Sequence, residues 1–119
     1  MIADDLKHMD ILDLADNKWV THQLNGDIVT IGGFLSQKVD GTLFVTGGNA
    51  LSSCVFKIDP NMIVTQMVPM LKSRSFVKPV LVQDRYILVI GGHSDPSQLK
   101  KNLSMVDCEC FDTIKNTWT

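Results

Sequence analysis

The sequence is poor in the residues that usually mark a chemical site. Its 119 residues include three cysteines and one tyrosine. An odd number of cysteines cannot all pair within one chain, which argues against a disulfide framework and favours a reducing compartment, the cytoplasm or the nucleus. Cys108 and Cys110 lie two apart on an expected strand and share one face, but the three histidines are scattered. No metal or other cofactor is therefore predicted.

Strong charge and long apolar runs are also missing. The net charge is −2, and Lys100–Lys101 is the only pair of adjacent lysines, so a nucleic-acid partner is not expected. No apolar run approaches the ~18 residues of a membrane-spanning helix. The acidic start, MIADDLKHMD, lacks the apolar core of a secretory signal. The sequence predicts neither nucleic acid nor membrane as a partner.

Motifs for catalysis are absent as well. The histidines at 8, 22 and 93 are far apart, and there is no GxSxG, phosphate loop, HExxH or GxGxxG pattern. The sequence therefore predicts a protein without catalysis of its own.

What the chain does contain is an internal repeat. LDLADNKW (12–19) and ECFDTIKNTW (109–118) share an Asp, an Asn four residues later and a Trp six residues later. TLFVTGG (42–48) and YILVIGG (86–92) share an apolar run that ends in two glycines, and the spacing from 47 to 91 is 44 residues. A third apolar stretch, CVFKID (54–59), ends in Asp59. A period of this length with short strand signals predicts an all-β array.

Each repeat is expected to contain four strands. The first is VKPVLVQ (77–83), with a weaker equivalent near 27–37; the second ends at the glycine pair and the third at the Asp. The fourth begins near the Trp position, at 19–24, 63–68 and 118–119. No convincing amphipathic helix is present, and the turns between third and fourth strands are polar, as hairpins require.

The recurring residues have structural explanations. Glycine pairs permit positive φ and close backbone approach. The recurring Asp is expected to cap a turn through side-chain to backbone hydrogen bonds. The Trp is expected to pack between neighbouring sheets, with ligand stacking as the alternative. The positions concerned are Asp13, Trp19, Gly47, Gly48, Asp59, Gly91, Gly92, Asp112 and Trp118.

Together, YILVIGG…ECFDTIKNTW resembles a kelch repeat, and TLFVTGG…VFKID is similar to a second copy. MDILDLADNKWV resembles the back half of a third, and Arg74 stands at the usual arginine position. The middle copy departs from the pattern: Thr65 replaces the Trp and Thr30 replaces the Arg. The resemblance implies a β-propeller with one four-stranded antiparallel blade per repeat.

The expected organisation is a tail (1–8), the C-terminal half of a blade (9–26), a full repeat (27–70) and a repeat truncated in its last strand (71–119). About two and a half blades make an incomplete ring, since propellers have about 4–8 blades. The chain is then expected to be a piece of a larger propeller or a truncated product. The alternative is a ring of several copies that self-associate through open blade edges.

The resemblance implies a protein-interaction module, because kelch propellers present loops to protein partners. The loop that differs most in length, 93–104, is the candidate partner-binding loop; its candidate residues are His93, Asp95, Lys100 and Lys101. A purely solvated loop is the alternative. Two other functions stay open: a degenerate fragment without independent function, and a piece of a kelch-type copper-radical oxidase. Such an oxidase would need a second tyrosine besides Tyr86.

Overall fold

The computed structural model describes residues 7–26, 33–48, 53–74, 77–92 and 107–119. These residues form ten β-strands and no helix. The strands are β1 (His8–Asp13), β2 (Lys18–Gln23), β3 (Phe34–Gln37), β4 (Leu43–Thr46), β5 (Val55–Ile58), β6 (Val64–Gln66), β7 (Pro79–Val82), β8 (Tyr86–Ile90), β9 (Cys108–Asp112) and β10 (Thr117–Trp118).

The strands form three antiparallel sheets. The first sheet is β1–β2, the second is β3–β4–β5–β6, and the third is β7–β8–β9–β10. Within each sheet, strands that follow one another in the chain pair antiparallel. The predicted all-β fold with four-stranded antiparallel blades is confirmed.

Side-chain alternation gives the second sheet two apolar faces. Val45 lies opposite Phe56, and Leu43 lies opposite Ile58, so these four side chains share one face. Phe44 lies between Leu43 and Val45 and points to the other face. Both faces are largely buried, which explains why most residues of β4 and β5 are apolar on either face, with Thr46 and Lys57 as the polar exceptions.

Two apolar cores separate the three sheets. The core between the first and second sheets contains Met9, Leu24, Val45, Phe56 and Ile58. The core between the second and third sheets contains Phe44, Val55, Met70, Val77, Ile87, Val89, Phe111 and Trp118. The sheets are therefore stacked face to face, and each buries its apolar side chains against its neighbour.

Backbone contacts also join adjacent sheets. Asn25, after β2, donates to the carbonyl of Met62 (2.8 Å) and accepts from the N–H of Val64 (2.8 Å). Between the second and third sheets, the N–H of Val39 donates to Asp84 Oδ1 at 2.8 Å. These bonds fix the register of one sheet on the next.

The strand limits are shorter than the sequence suggests. The strand expected over 77–83 is β7, Pro79–Val82, and the weak signal near 27–37 ends in β3, Phe34–Gln37. Residues 27–32 lie outside the described part of the chain. The last strands of the second and third sheets, β6 (Val64–Gln66) and β10 (Thr117–Trp118), are short. Among the described residues, no helix is long and apolar enough to cross a membrane.

Candidate functional site

The Asp-to-Trp hairpin of the third sheet is closed by one carboxylate. Asp112 Oδ1 accepts hydrogen bonds from the backbone N–H of Ile114 (3.0 Å) and Lys115 (3.1 Å). The backbone N–H of Asn116 donates to the carbonyl of Asp112 at 2.8 Å. Asn116 adopts a left-handed φ of 55°, a conformation that asparagine tolerates better than most residues. This is an Asx-type turn.

The other two recurring Asp residues occupy equivalent turns. Asp13 Oδ1 accepts from the N–H of Ala15 at 2.9 Å. Asp59 Oδ1 accepts from the N–H of Asn61 (2.9 Å) and Ile63 (3.0 Å). Left-handed residues recur too, at Asn17 (φ 54°) and Met62 (φ 66°). All three Asp side chains are therefore engaged with the backbone of their own turns.

In the third sheet the turn is also tied to an arginine. Arg85 donates through Nε to Asp112 Oδ1 (3.1 Å) and through Nη2 to Oδ2 (2.8 Å). This fork lowers the pKa of Asp112 well below the ordinary aspartate value, with the turn amides adding to the effect. The same hydrogen bonds raise the pKa of Arg85. The guanidinium also lies 5.0 Å from the ring centroid of Tyr86, a cation–π distance.

Trp118 links the third sheet to the second. Its ring stacks on Phe111 with centroids 5.0 Å apart, and its Nε1 donates to the carbonyl of Val68 at 2.9 Å. The N–H of Val68 donates to Asn116 Oδ1 at 3.0 Å. Val68, in the segment after β6, is therefore hydrogen-bonded through both its N–H and its C=O to the hairpin of the third sheet.

Trp19 corrects the expectation that both tryptophans pack between sheets. Its side chain is 65% exposed, whereas Trp118 is 9% exposed. Trp19 lies opposite Leu12 on the outer face of the first sheet, and no strand precedes β1 in the described part of the chain. Among the described residues, no further sheet covers this ring.

Arg74 lies fully buried between the second and third sheets. Its Nε donates to Glu109 Oε2 at 2.8 Å, and its Nη1 donates to the carbonyl of Gly91 at 2.6 Å. Glu109 also accepts from the N–H of Leu71 at 2.5 Å. Glu109 is itself only 4% exposed, so the two charges compensate each other in a dry environment.

Asp107 extends this network toward the surface. Its carboxylate lies 3.3 Å from Arg74 Nη2 and forms an ion pair with Lys72. The hydrogen bond from Lys72 is the main reason that the pKa of Asp107 is lowered, and the charge of Arg74 adds to it. The network therefore joins the segment before β7 to the start of β9.

The glycine pairs lie beside this arginine. Gly47 has a φ of 69°, and a Cβ there would lie 3.1 Å from the carbonyl oxygen of Arg74. Gly91, at φ 70°, offers its carbonyl to Arg74 Nη1. The first members of the pairs, Gly47 and Gly91, follow β4 and β8 directly, and Gly48 and Gly92 come next. Sequence-predicted residues 47, 74 and 91 are thus brought together where two sheets meet.

Three residues that form the buried network and the hairpin turn were not predicted from the sequence. Glu109, Asp107 and Arg85 hold the network and the turn, yet none belongs to the repeated pattern. A signal did exist for Glu109, because it alternates with Phe111 on β9 and so had to face the core.

The loop candidates His93, Asp95, Lys100 and Lys101 lie outside the described residues. None of the three cysteines forms a disulfide.

The outer face of the third sheet is apolar and solvent-facing. Val80 lies opposite Leu88, and Ile90 lies opposite Cys108, on the face away from the second sheet. Val80 is 52% exposed and Ile90 is 59% exposed. The described residues contain no group of three or more His, Cys, Asp or Glu side chains able to hold a metal ion.

Comparison with known proteins supports the repeat. Residues 78–119 match the family model of the Kelch motif. The predicted kelch resemblance is thus confirmed for the last repeat. No curated protein matches the chain.

Among solved structures, the chain resembles a fungal alcohol oxidase of the AA5 family, in complex with copper. The TM-score is 0.64 and the sequence identity is 20%, over 94% of this chain. The chain spans only 23% of that oxidase. A likeness at this sequence identity shows a shared fold only and says nothing about a shared activity.

Proposed function

We propose that this chain, whose residues 78–119 are a kelch motif, is a protein-interaction module or part of one, without catalysis of its own. Kelch motifs generally mediate binding between proteins. The stacking of three sheets through two apolar cores carries the proposal. A stack of this kind holds the connections between strands at fixed positions, as a binding scaffold requires.

The proposed partner-binding segment is the long connection between β8 and β9, residues 93–104. It follows Gly92 directly, and the buried pair of Arg74 and Glu109 anchors the strands on either side. The corresponding connection in the second sheet, between β4 and β5, is shorter. A longer connection on the same rigid base gives the third sheet more surface for specific contacts.

A loop exchange tests this proposal. Residues 93–104 are replaced by a Gly-Ser segment of equal length, and partners are captured by cross-linking and mass spectrometry. We expect the exchange to abolish capture of a specific partner, and alanine at His93, Asp95, Lys100 and Lys101 to weaken it. A matched exchange of residues 49–52 should leave capture unchanged. Capture that survives the exchange of 93–104 would contradict the loop assignment.

A degenerate fragment without independent function is the alternative. It predicts that the wild-type chain captures no partner and unfolds without cooperativity. A cooperative unfolding transition together with saturable partner binding would contradict that alternative.

The likeness to a copper-containing oxidase favours one further candidate, a piece of an oxidase. The single tyrosine of the chain, Tyr86, pairs with Asp112 across β8 and β9 and has Arg85 over its ring. These contacts give Tyr86 a structural role in the turn. Copper titration of the full chain, followed by elemental analysis, tests the candidate: stoichiometric copper with alcohol oxidation would favour the oxidase.

Self-association and location complete the proposal. The exposed apolar face of the third sheet supports association with a further sheet, which sedimentation at rising concentration would detect. The absence of a disulfide among the three cysteines supports a reducing location such as the cytoplasm, which microscopy of the tagged protein would test.

A further inference from the structure

Two thiols lie side by side on the outer face of the third sheet. Cys108 and Cys110 alternate with the core-facing Glu109 on β9, so both side chains point away from the second sheet. Cys108 is exposed, Cys110 is half-buried, and neither forms a disulfide. Cys108 lies opposite Ile90, which is 59% exposed. Two sulfur atoms therefore share an otherwise apolar surface.

The repeat does not require sulfur at these two positions. Counting back from the Asp that follows each apolar run, Val55 and Lys57 of β5 occupy the places that Cys108 and Cys110 occupy on β9. One apolar residue and one lysine serve the fold in the second sheet. Packing within the repeat therefore gives no reason for a pair of thiols on β9.

Hydrogen bonds on both sides hold β9 in an extended conformation at these thiols. On one side, the N–H and the C=O of Cys110 each bond to the backbone of Thr119 at 2.9 Å. On the other side, β9 pairs with β8 along its whole length. Alternate side chains of an extended strand stand parallel, with Cβ atoms about 6.5–7 Å apart. A disulfide requires about 3.5–4.5 Å, so the intact sheet keeps the two thiols from closing one.

The same spacing suits one metal ion held between the two sulfurs. Metal–thiolate bonds of about 2.3 Å place two sulfurs on opposite sides of an ion about 4.6 Å apart. Each sulfur then leans about 1 Å along the strand, which strand rotamers allow. The described residues hold no group of three or more metal-binding side chains, so the ion must accept two ligands. Zn²⁺ takes four, whereas Cu⁺ is selected by soft thiolates and accepts two in a line.

We propose that Cys108 and Cys110 bind one Cu⁺ ion through their two sulfur atoms. Binding converts both thiols to thiolates and releases two protons. Copper keeps its oxidation state, so the step needs no oxidant or reductant. No tyrosine or histidine belongs to this site, which distinguishes it from the oxidase candidate, and it is separate from the segment 93–104.

Transfer of Cu⁺ from a coloured chelator tests the proposal. The reduced full chain is titrated, without oxygen, into the Cu⁺ complex of bathocuproine disulfonate, and the loss of absorbance counts the copper that each chain takes up. We expect one Cu⁺ per chain. Zn²⁺ should compete at least about tenfold less well than Cu⁺, because the site offers two ligands. Absence of transfer, or one copper shared by two chains, would overturn the proposal.

Single substitutions locate the ion. Cys108→Ser and Cys110→Ser should each lower the affinity for Cu⁺ at least about tenfold, because a hydroxyl is a poor ligand for a soft ion. Cys54→Ser and Tyr86→Phe are the controls, and each should still take up one Cu⁺ per chain. Unchanged affinity in either of the first two variants would overturn the assignment. Loss of copper in Tyr86→Phe would overturn it in favour of an oxidase type of site.

Measurements on the wild-type chain do not depend on how the variants fold. Cu⁺ should protect Cys108 and Cys110 from alkylation, measured by mass spectrometry of the digested chain, and leave alkylation of Cys54 unchanged. X-ray absorption at the copper edge should find two sulfur neighbours at about 2.3 Å. Copper bound through nitrogen or oxygen, or equal protection of all three cysteines, would contradict the proposal. A disulfide between Cys108 and Cys110, formed by peroxide in the folded chain, would refute the spacing on which it rests.

Discussion

The two tryptophans lie in equivalent hairpins but differ in solvent exposure. This difference predicts unequal contributions to the free energy of unfolding. Trp118 is 9% exposed, stacks on Phe111 and donates to the carbonyl of Val68. Trp118→Ala should lower the free energy of unfolding by about 3–5 kcal/mol, and Trp118→Phe, which keeps a ring but loses the hydrogen bond, by about 1 kcal/mol. Urea denaturation measures both.

Trp19 supplies the matched control. Because its ring is 65% exposed, Trp19→Ala should change the free energy of unfolding by no more than about 0.5 kcal/mol. Equal effects at the two positions would contradict the difference in packing.

The buried pair of Arg74 and Glu109 makes the second residue-scale prediction. Arg74→Met leaves Glu109 charged in the core and should cost about 3–5 kcal/mol of unfolding free energy. The double variant Arg74→Met/Glu109→Met removes both charges and should recover much of that loss. Phe56 shows that an apolar residue fits this place, because it occupies the position equivalent to Glu109 in the second sheet.

The decisive readout is the coupling between the two substitutions, measured by a double-mutant cycle from denaturant unfolding. Additive losses would mean that the two charges do not compensate each other. Leu71 keeps its N–H unpaired in the double variant, so recovery should stay incomplete.

At the scale of a single element, the β9–β10 hairpin should make stability depend on pH. Arg85 and the turn amides lower the pKa of Asp112 in the folded chain. The carboxylate therefore stabilises the fold fully above the ordinary aspartate pKa of about 4, and this stabilisation is lost as the pH falls below it. Asp112→Asn should flatten the fall in stability between about pH 5 and pH 2.

Variants of nearby charged residues distinguish the contribution of the Arg85–Asp112 ion pair from the general loss of stability at low pH. Arg85→Gln removes the main cause of the lowered pKa and should flatten the same part of the profile. Lys115→Gln changes an exposed cation whose backbone alone contacts Asp112, so its profile should match the wild type. Urea midpoints measured across the pH range decide the matter, and an unchanged profile for Arg85→Gln would contradict the assignment.

The sequence predicted those features of the repeat that depend only on residues close together in the chain. The Asp turns and the glycine pairs follow from hydrogen-bonding and φ requirements that each repeat must meet separately. The partner of Arg74 was not predictable in the same way, because Glu109 lies in a different segment and the middle repeat has Phe56 there. The exposure of Trp19 was missed because the repeat pattern encodes a hairpin and says nothing about which sheet lies next to it.

For the whole molecule, burial predicts an order of local opening. The second sheet is covered on both faces, while the first sheet has two strands and one covered face. Amides of β4 and β5 that bond between these strands, such as Val45 and Phe56, should therefore exchange hydrogen most slowly, and those of β1 and β2 fastest among the strands. Native-state hydrogen exchange with peptide or residue resolution measures the order.

A substitution in one core then shows how far the effect travels. Met9 is fully buried between the first and second sheets, so Met9→Ala should speed exchange in β1 and β2. Because stacked sheets contact only their neighbours, exchange in β8 and β9 should change much less. Phe111→Ala, in the other core, should reverse the pattern. If either variant accelerates all ten strands equally, the three sheets unfold as one cooperative unit and the nearest-neighbour argument fails.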